Sequence, residues 1–137
     1  MSTWGGGLPR KGVSLLGEAG WTEGSVADND WKKFELPKEI EARIASGKPY
    51  LEFLRVPSLS CGIYALPAGS EDLQAPHDED EVYYVVSGKA RLRVSGETVE
   101  AGPGSILYVR ATATHSFFEV EEDMTILVFF ASGGPGD

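Results

Sequence analysis

The stretch Glu81-Val82-Tyr83-Tyr84-Val85-Val86-Ser87-Gly88-Lys89-Ala90-Arg91-Leu92-Arg93-Val94 decides the fold class. Its second half alternates strictly. Lys89, Arg91 and Arg93 fall on one face and Ala90, Leu92 and Val94 on the other. A period of two is that of a strand with one wet and one buried face. The first half is rich in β-branched and aromatic residues, which suit a pleated surface. Ser87-Gly88 between the halves carries a two-residue turn signal. The stretch therefore reads as two strands, Glu81–Val86 and Lys89–Val94, joined by a tight turn.

The same punctuation continues on both sides. Tyr50–Val56 stops at Pro57, and Leu59–Leu66 stops at Pro67-Ala68-Gly69. After Gly96-Glu97 come Thr98–Ala101, Ser105–Val109, Thr114–Val120 and Met124–Ala131. About eight short, evenly spaced strands predict an all-β sandwich or closed barrel. The absence of βαβ alternation rules against a doubly wound parallel sheet. One short helix is expected between Pro37, which suits a first helical position, and Gly47 with Pro49, which end it. Glu39 and Glu41 favour its positive end, and Ile40 and Ile44 share a face.

Residues 1–30 hold Gly5-Gly6-Gly7 and four further glycines, yet also Trp4 and Trp21. They read as an irregular N-terminal arm that packs on the barrel or on a second subunit, with Val13 to Leu16 as a candidate edge strand. Residues 31–137 form the β domain, whose tail, Ser132–Asp137, is expected to fray.

A length of 137 residues fits one domain with a real core. Twelve basic against 21 acidic residues give a net charge of -9. That balance argues against nucleic acid and anionic membrane partners, which need clustered Lys and Arg. No apolar run reaches the roughly 18 residues that span a bilayer, and no basic-then-apolar leader opens the chain. With a lone cysteine, Cys61, these features predict a cytoplasmic protein. Cys61 itself sits in an apolar stretch and reads as a small core residue.

Two histidines, His77 and His115, are the only ones in the chain. His77 and Glu81 are four apart, which puts both on one face of an extended segment. His115 belongs to a later strand that can cross the same interior. Two imidazoles and one carboxylate form the 2-His-1-carboxylate donor set of non-heme iron enzymes, and the same set serves catalytic zinc. Fe(II), Zn, Mn and Ni are the candidate ions.

The segment from Gly69 to Gly88 resembles the first signature of the cupin family, Gly-x5-His-x-His-x3-Glu-x6-Gly, with Gly69, His77, Glu81 and Gly88 on their slots. The segment from Gly104 to Glu119 is similar to the second, Gly-x5-Pro-x-Gly-x2-His-x3-Asn, with Gly104 and His115 on theirs. The resemblance covers residues 50–131. It departs from the pattern at Ala75, which stands where the first His belongs, and at Arg110, Thr112 and Glu119, which replace Pro, Gly and Asn.

The resemblance implies a jelly-roll β-barrel, a metal held by His77, Glu81 and His115, a small organic substrate and a homodimer. Gln74, beside the vacant slot, is a candidate fourth ligand or second-shell hydrogen-bonding group, with water or substrate as the alternative occupant. Strand parity nominates Tyr64, Tyr83, Phe117 and Phe53 as pocket walls, with Ile63 and Arg55 as alternatives on the same two strands. Tyr83, Glu79 and Glu119 are the candidate acids or bases. Arg110 is a candidate for a substrate carboxylate or for surface ion pairs. The vacancy at Ala75 favours an Fe(II)-type oxygenase. Cupin isomerases and lyases, a non-catalytic binding module, and a metal-free barrel in which His77 and Glu81 pair all remain open.

Overall fold

The computed structural model describes residues 30–72 and 77–131. The arm over residues 1–29, the candidate strand from Val13 to Leu16, Gln74, Ala75 and the tail from Ser132 lie outside the described residues.

Helix α1 spans Leu36–Ser46 with Pro37 in its first turn, and Gly47 closes it in the left-handed region at φ 73°, donating its N–H to Ile44 O. None of its residues is fully buried, and Ile44 is exposed. The helix thus rides on the barrel surface and does not enter the core.

Six antiparallel strands follow among the described residues: β1 Tyr50–Val56, β2 Leu59–Leu66, β3 Asp80–Val94, β4 Glu97–Ala101, β5 Ile106–Val109 and β6 His115–Ala131. The sheet order is β1-β2-β6-β3-β4, with β5 also paired to β3. Together they build a jelly-roll β-barrel around one apolar core.

Fewer and longer strands appear than the sequence predicts, and the physical reason lies in bulges. Ser87-Gly88 does not turn the chain. β3 continues through it, pairing with β6 across register shifts between Val85 and Arg91. Gly88 has φ 97°, and a Cβ there would collide with the backbone of Asp123 and Met124. Glycine is present because two backbones meet there, not because the chain reverses. Likewise β6 absorbs both predicted C-terminal strands, passing Glu119 at φ 50°. Each long strand therefore serves two parts of the barrel. The first half of β3 pairs with the end of β6 and with β5, and its second half pairs with the start of β6 and with β4.

Partners directly opposite in an antiparallel pair share a face. One interior row therefore reads Arg55, Ser60, Phe130, Glu81, Val109, and the next Glu52, Gly62, Val128, Tyr83, Leu107. The exterior parity carries Cys61 and Ile63, whose partners are Leu54, Leu51, Phe129 and Leu127. The alternation of Lys89 to Val94 is as expected: Ala90 and Leu92 are buried while Lys89, Arg91 and Arg93 are exposed.

Candidate metal centre

Glu81 opens the buried half of β3 and His115 is the first residue of β6. Both are nearly inaccessible, at 2% and 5% exposure. His115 Nε2 lies 3.2 Å from Glu81 Oε1, yet the two are not aligned as a hydrogen bond, and Glu81 Oε2 has no hydrogen-bond partner among the described residues. His115 Nδ1 lies 2.8 Å from Ala113 O. A carbonyl can only accept, so Nδ1 carries the proton and Nε2 presents its lone pair to the carboxylate. Lone pair against carboxylate is repulsive unless a cation sits between them or Nε2 is itself protonated. Donors about 2.1 Å from one ion, at angles between square and tetrahedral, are roughly 3.0–3.4 Å apart. The observed spacing fits.

Without an ion, a proton takes the same role. Burial lowers the His115 pKa, but the Glu81 carboxylate beside it more than reverses this, helped by the Ala113 carbonyl and the charge of Asp72, so the net direction is upward.

His77 stands at the edge of this pair. Its ring centre is 6.1 Å from that of His115 and 5.2 Å from Phe130, which it meets edge-on. Its backbone carbonyl accepts from Thr112 N–H, tying it to the loop before β6. Among the described residues, no three His, Cys, Asp or Glu side chains close on a common point. Glu81 and His115 are thus brought into contact, and His77 is brought near but not into coordination range.

Tyr83 and Phe117 form the floor. Both are fully buried, with ring centres 5.0 Å apart, and Tyr83 lies 6.2 Å from His115. Tyr64 is interior, and its hydroxyl donates to Asp72 Oδ1 at 2.7 Å. Burial first, then the Asp72 carboxylate, raises its pKa. Asp72 Oδ2 accepts from Phe117 N–H at 2.8 Å. This carboxylate, only 3% exposed, ties β2 to β6 two residues past His115. Sequence reading missed it, because an Asp after Glu71 in a polar loop carries no signal of burial.

Two expectations need correction. Phe53 is the extra residue of a bulge between Glu52 and Leu54, and its ring packs against Phe34 in a tilted contact, with centres 4.9 Å apart. The bulge reverses the parity of β1, so Arg55 takes the interior position. Glu119 is no candidate acid or base for this centre. Its positive φ turns it outward, 62% exposed, with Oε1 3.6 Å from Arg91. Glu79 is half-buried and Arg110 exposed at the loop before β6.

A cupin domain family model matches residues 62–130, the region that holds all of β3 to β5 and the Glu81–His115 pair. The chain is a cupin. An uncharacterized protein, SCO3923, of Streptomyces coelicolor is 45% identical over 100 residues, spanning 73% of this cupin and 95% of that protein. TT1209 from Thermus thermophilus superposes with a TM-score of 0.60 at 24% identity, over 74% of this chain and 98% of that one. KdgF from Halomonas sp. gives 0.56 at 18% identity, over 77% and 88%. DMSP lyase DddQ from Ruegeria pomeroyi gives 0.54 at 21%, over 58% of this chain and 41% of the lyase. At these identities the structural matches establish the fold.

Proposed function

We propose that this cupin holds one divalent transition metal through Glu81 and His115, with His77, which stands beside the pair, moving in to complete the set, and acts on a small organic molecule inside the barrel. The observation that carries the reading is the buried 3.2 Å contact between His115 Nε2 and the Glu81 carboxylate, with Nδ1 turned to Ala113 O. Such a pair costs stability unless a metal ion between the two or a proton on Nε2 compensates it. A divalent ion there would act as a Lewis acid toward a substrate oxygen, and Fe(II) with open positions would add oxidative chemistry. The protein's own groups do the rest. Ala113 O fixes the His115 tautomer, Asp72 fixes the strand behind it, and Tyr83, Phe117 and Phe130 exclude water.

The test is elemental analysis of untagged protein after reconstitution with Fe(II), Zn, Mn and Ni. About one ion per chain is expected, and Glu81→Ala should abolish it. Less than about 0.1 ion per chain with every metal overturns the reading. Oxygen uptake over a substrate panel tests the oxygenase reading, and metal binding without turnover on any panel favours a binding module. A second copy of the chain belongs to the same proposal. Among the described residues β5 pairs with β3 alone and exposes Ile106 and Tyr108, and sedimentation equilibrium reads whether the protein is a dimer.

A further inference from the structure

The loop before β6 is built on a strained turn. Ala113 N–H donates to Arg110 O at 3.1 Å and closes it, and Thr112 in its third position has φ 68°. A turn with a positive third φ favours Gly or Asn, and a β-branched residue there is an outlier. Such backbone persists only where the surroundings hold it. Contacts from two directions do so. Asp80 Oδ1 accepts from Ala111 N–H at 2.8 Å, and His77 O accepts from Thr112 N–H at 2.7 Å. From the other direction, Ser95 N–H donates to Thr114 O at 3.0 Å.

The turn ends on the group that orients His115. Ala113 is buried, and its carbonyl receives the His115 Nδ1–H at 2.8 Å. Asp80 itself is exposed. It directly precedes Glu81 and lies three residues past His77. One side chain therefore links the segment that carries His77 and Glu81 to the turn that sets the His115 ring. An ionised acceptor makes this hydrogen bond stronger than a neutral one would be.

The geometry points to Asp80 as a positioning residue: it latches the Arg110–Ala113 turn, so that Ala113 O holds His115 with Nε2 toward Glu81. This deepens the function proposed above and rests on it only for the ion. Two roles for a carboxylate at this place separate chemically. A latch needs an acceptor oxygen at one position, which Asn supplies and Glu, one methylene longer, displaces. An attraction for a nearby cation needs the charge, which Glu keeps and Asn loses. The two substitutions therefore rank oppositely under the two roles.

The experiment uses the untagged full chain and Zn(II) as the only metal. Zn(II) affinity is read by chelator competition. In the metal-free chain, solvent exchange of the His115 Nδ1–H proton is read by NMR, where two histidines leave only two ring patterns to assign. Asp80→Ala should weaken Zn(II) by at least about tenfold, the scale for loss of an orienting partner, and should speed Nδ1–H exchange by a similar factor. Asp80→Asn should keep most of both properties, and Asp80→Glu should lose more of both than Asp80→Asn. Asp123→Ala is the control. It removes the same kind of contact, Oδ1 to Ala68 N–H at 2.8 Å, from the middle of β6, and should change neither readout. The reverse ranking of Asn and Glu overturns the latch and assigns Asp80 an electrostatic role. Unchanged Nδ1–H exchange in Asp80→Ala overturns it too, as does an equal effect of Asp123→Ala. The metal-free readout keeps the two readings apart: a wild-type chain that takes up no ion, yet loses Nδ1–H protection in Asp80→Ala, overturns the metal centre and supports the latch.

Discussion

At the scale of single residues, the metal candidates were legible because histidine is scarce here. Two imidazoles on two spaced slots, with a carboxylate at even spacing, are visible without coordinates. Asp72 was not legible, and Arg55 stood only as the alternative to Phe53, because their placement depends on a loop contact and a bulge. Asp72 carries a direct prediction. It accepts from the Tyr64 hydroxyl and the Phe117 N–H while almost fully buried. Asp72→Ala strands both donors and should cost about 3 kcal/mol in urea unfolding. Tyr64→Phe strands only one acceptor and should cost about 1–2 kcal/mol. Because Phe117 lies two residues past His115, Asp72→Ala should also weaken metal binding about tenfold, as loss of an orienting contact does. A loss of stability with unchanged metal affinity would show that Asp72 is purely structural.

Cys61 gives a pH prediction at the same scale. Burial, and then the Glu52 charge, pushes its thiol from 9.0 up to about 11. At pH 8 the thiolate fraction is then about one in a thousand, against about one in ten in the unfolded chain. Alkylation at pH 8 should be roughly 100-fold slower in native protein than in denaturant. The stability sign follows. Between pH 9.0 and about 11 the folded chain keeps a proton that the unfolded chain has lost, so stability falls as pH rises through that window. A melting temperature unchanged from pH 8.5 to 10.5 in wild type but falling in Cys61→Ser would contradict this.

At the scale of elements, periodicity read the strands and helix α1 well and their junctions poorly. Ser87-Gly88 shows why. A turn and a bulge ask for the same residue, one tolerant of positive φ, and only the partner strand distinguishes them. The same ambiguity misplaced Phe53, since one inserted residue inverts every face beyond it. Gly88 and Gly96 separate the two costs. Both have positive φ, 97° and 88°, but a Cβ meets nothing at Gly96 and meets the Asp123 and Met124 backbone at Gly88. Gly96→Ala should therefore cost only the left-handed penalty, about 1–2 kcal/mol. Gly88→Ala must also push β3 from β6 and should cost more than about 3 kcal/mol. Equal losses in chemical denaturation would mean that the crossing is looser than described.

At the scale of the molecule, an ion at the proposed centre would also act as a fastener. Glu81 sits where β3 pairs with β5 and the end of β6, whereas His115 pairs with Val94 beside the β4 side. The register shifts between Val85 and Arg91 separate these two halves. An ion held by both residues would tie the halves together, so that its binding energy would become folding energy. At a free metal concentration 100 times the dissociation constant, the gain is about 2.7 kcal/mol. For a chain of this length that raises the melting temperature by roughly 10 °C. Glu81→Ala should remove the metal dependence while leaving a cooperative transition. Leu92→Ala, which deletes a buried core side chain opposite Phe117 and removes neither ligand, should cost about 2–5 kcal/mol of stability yet keep the full metal-induced rise. A rise that survives Glu81→Ala would place the stabilising ion elsewhere on the acidic surface, and a rise lost in Leu92→Ala would mean that binding follows global stability and not the Glu81–His115 contact.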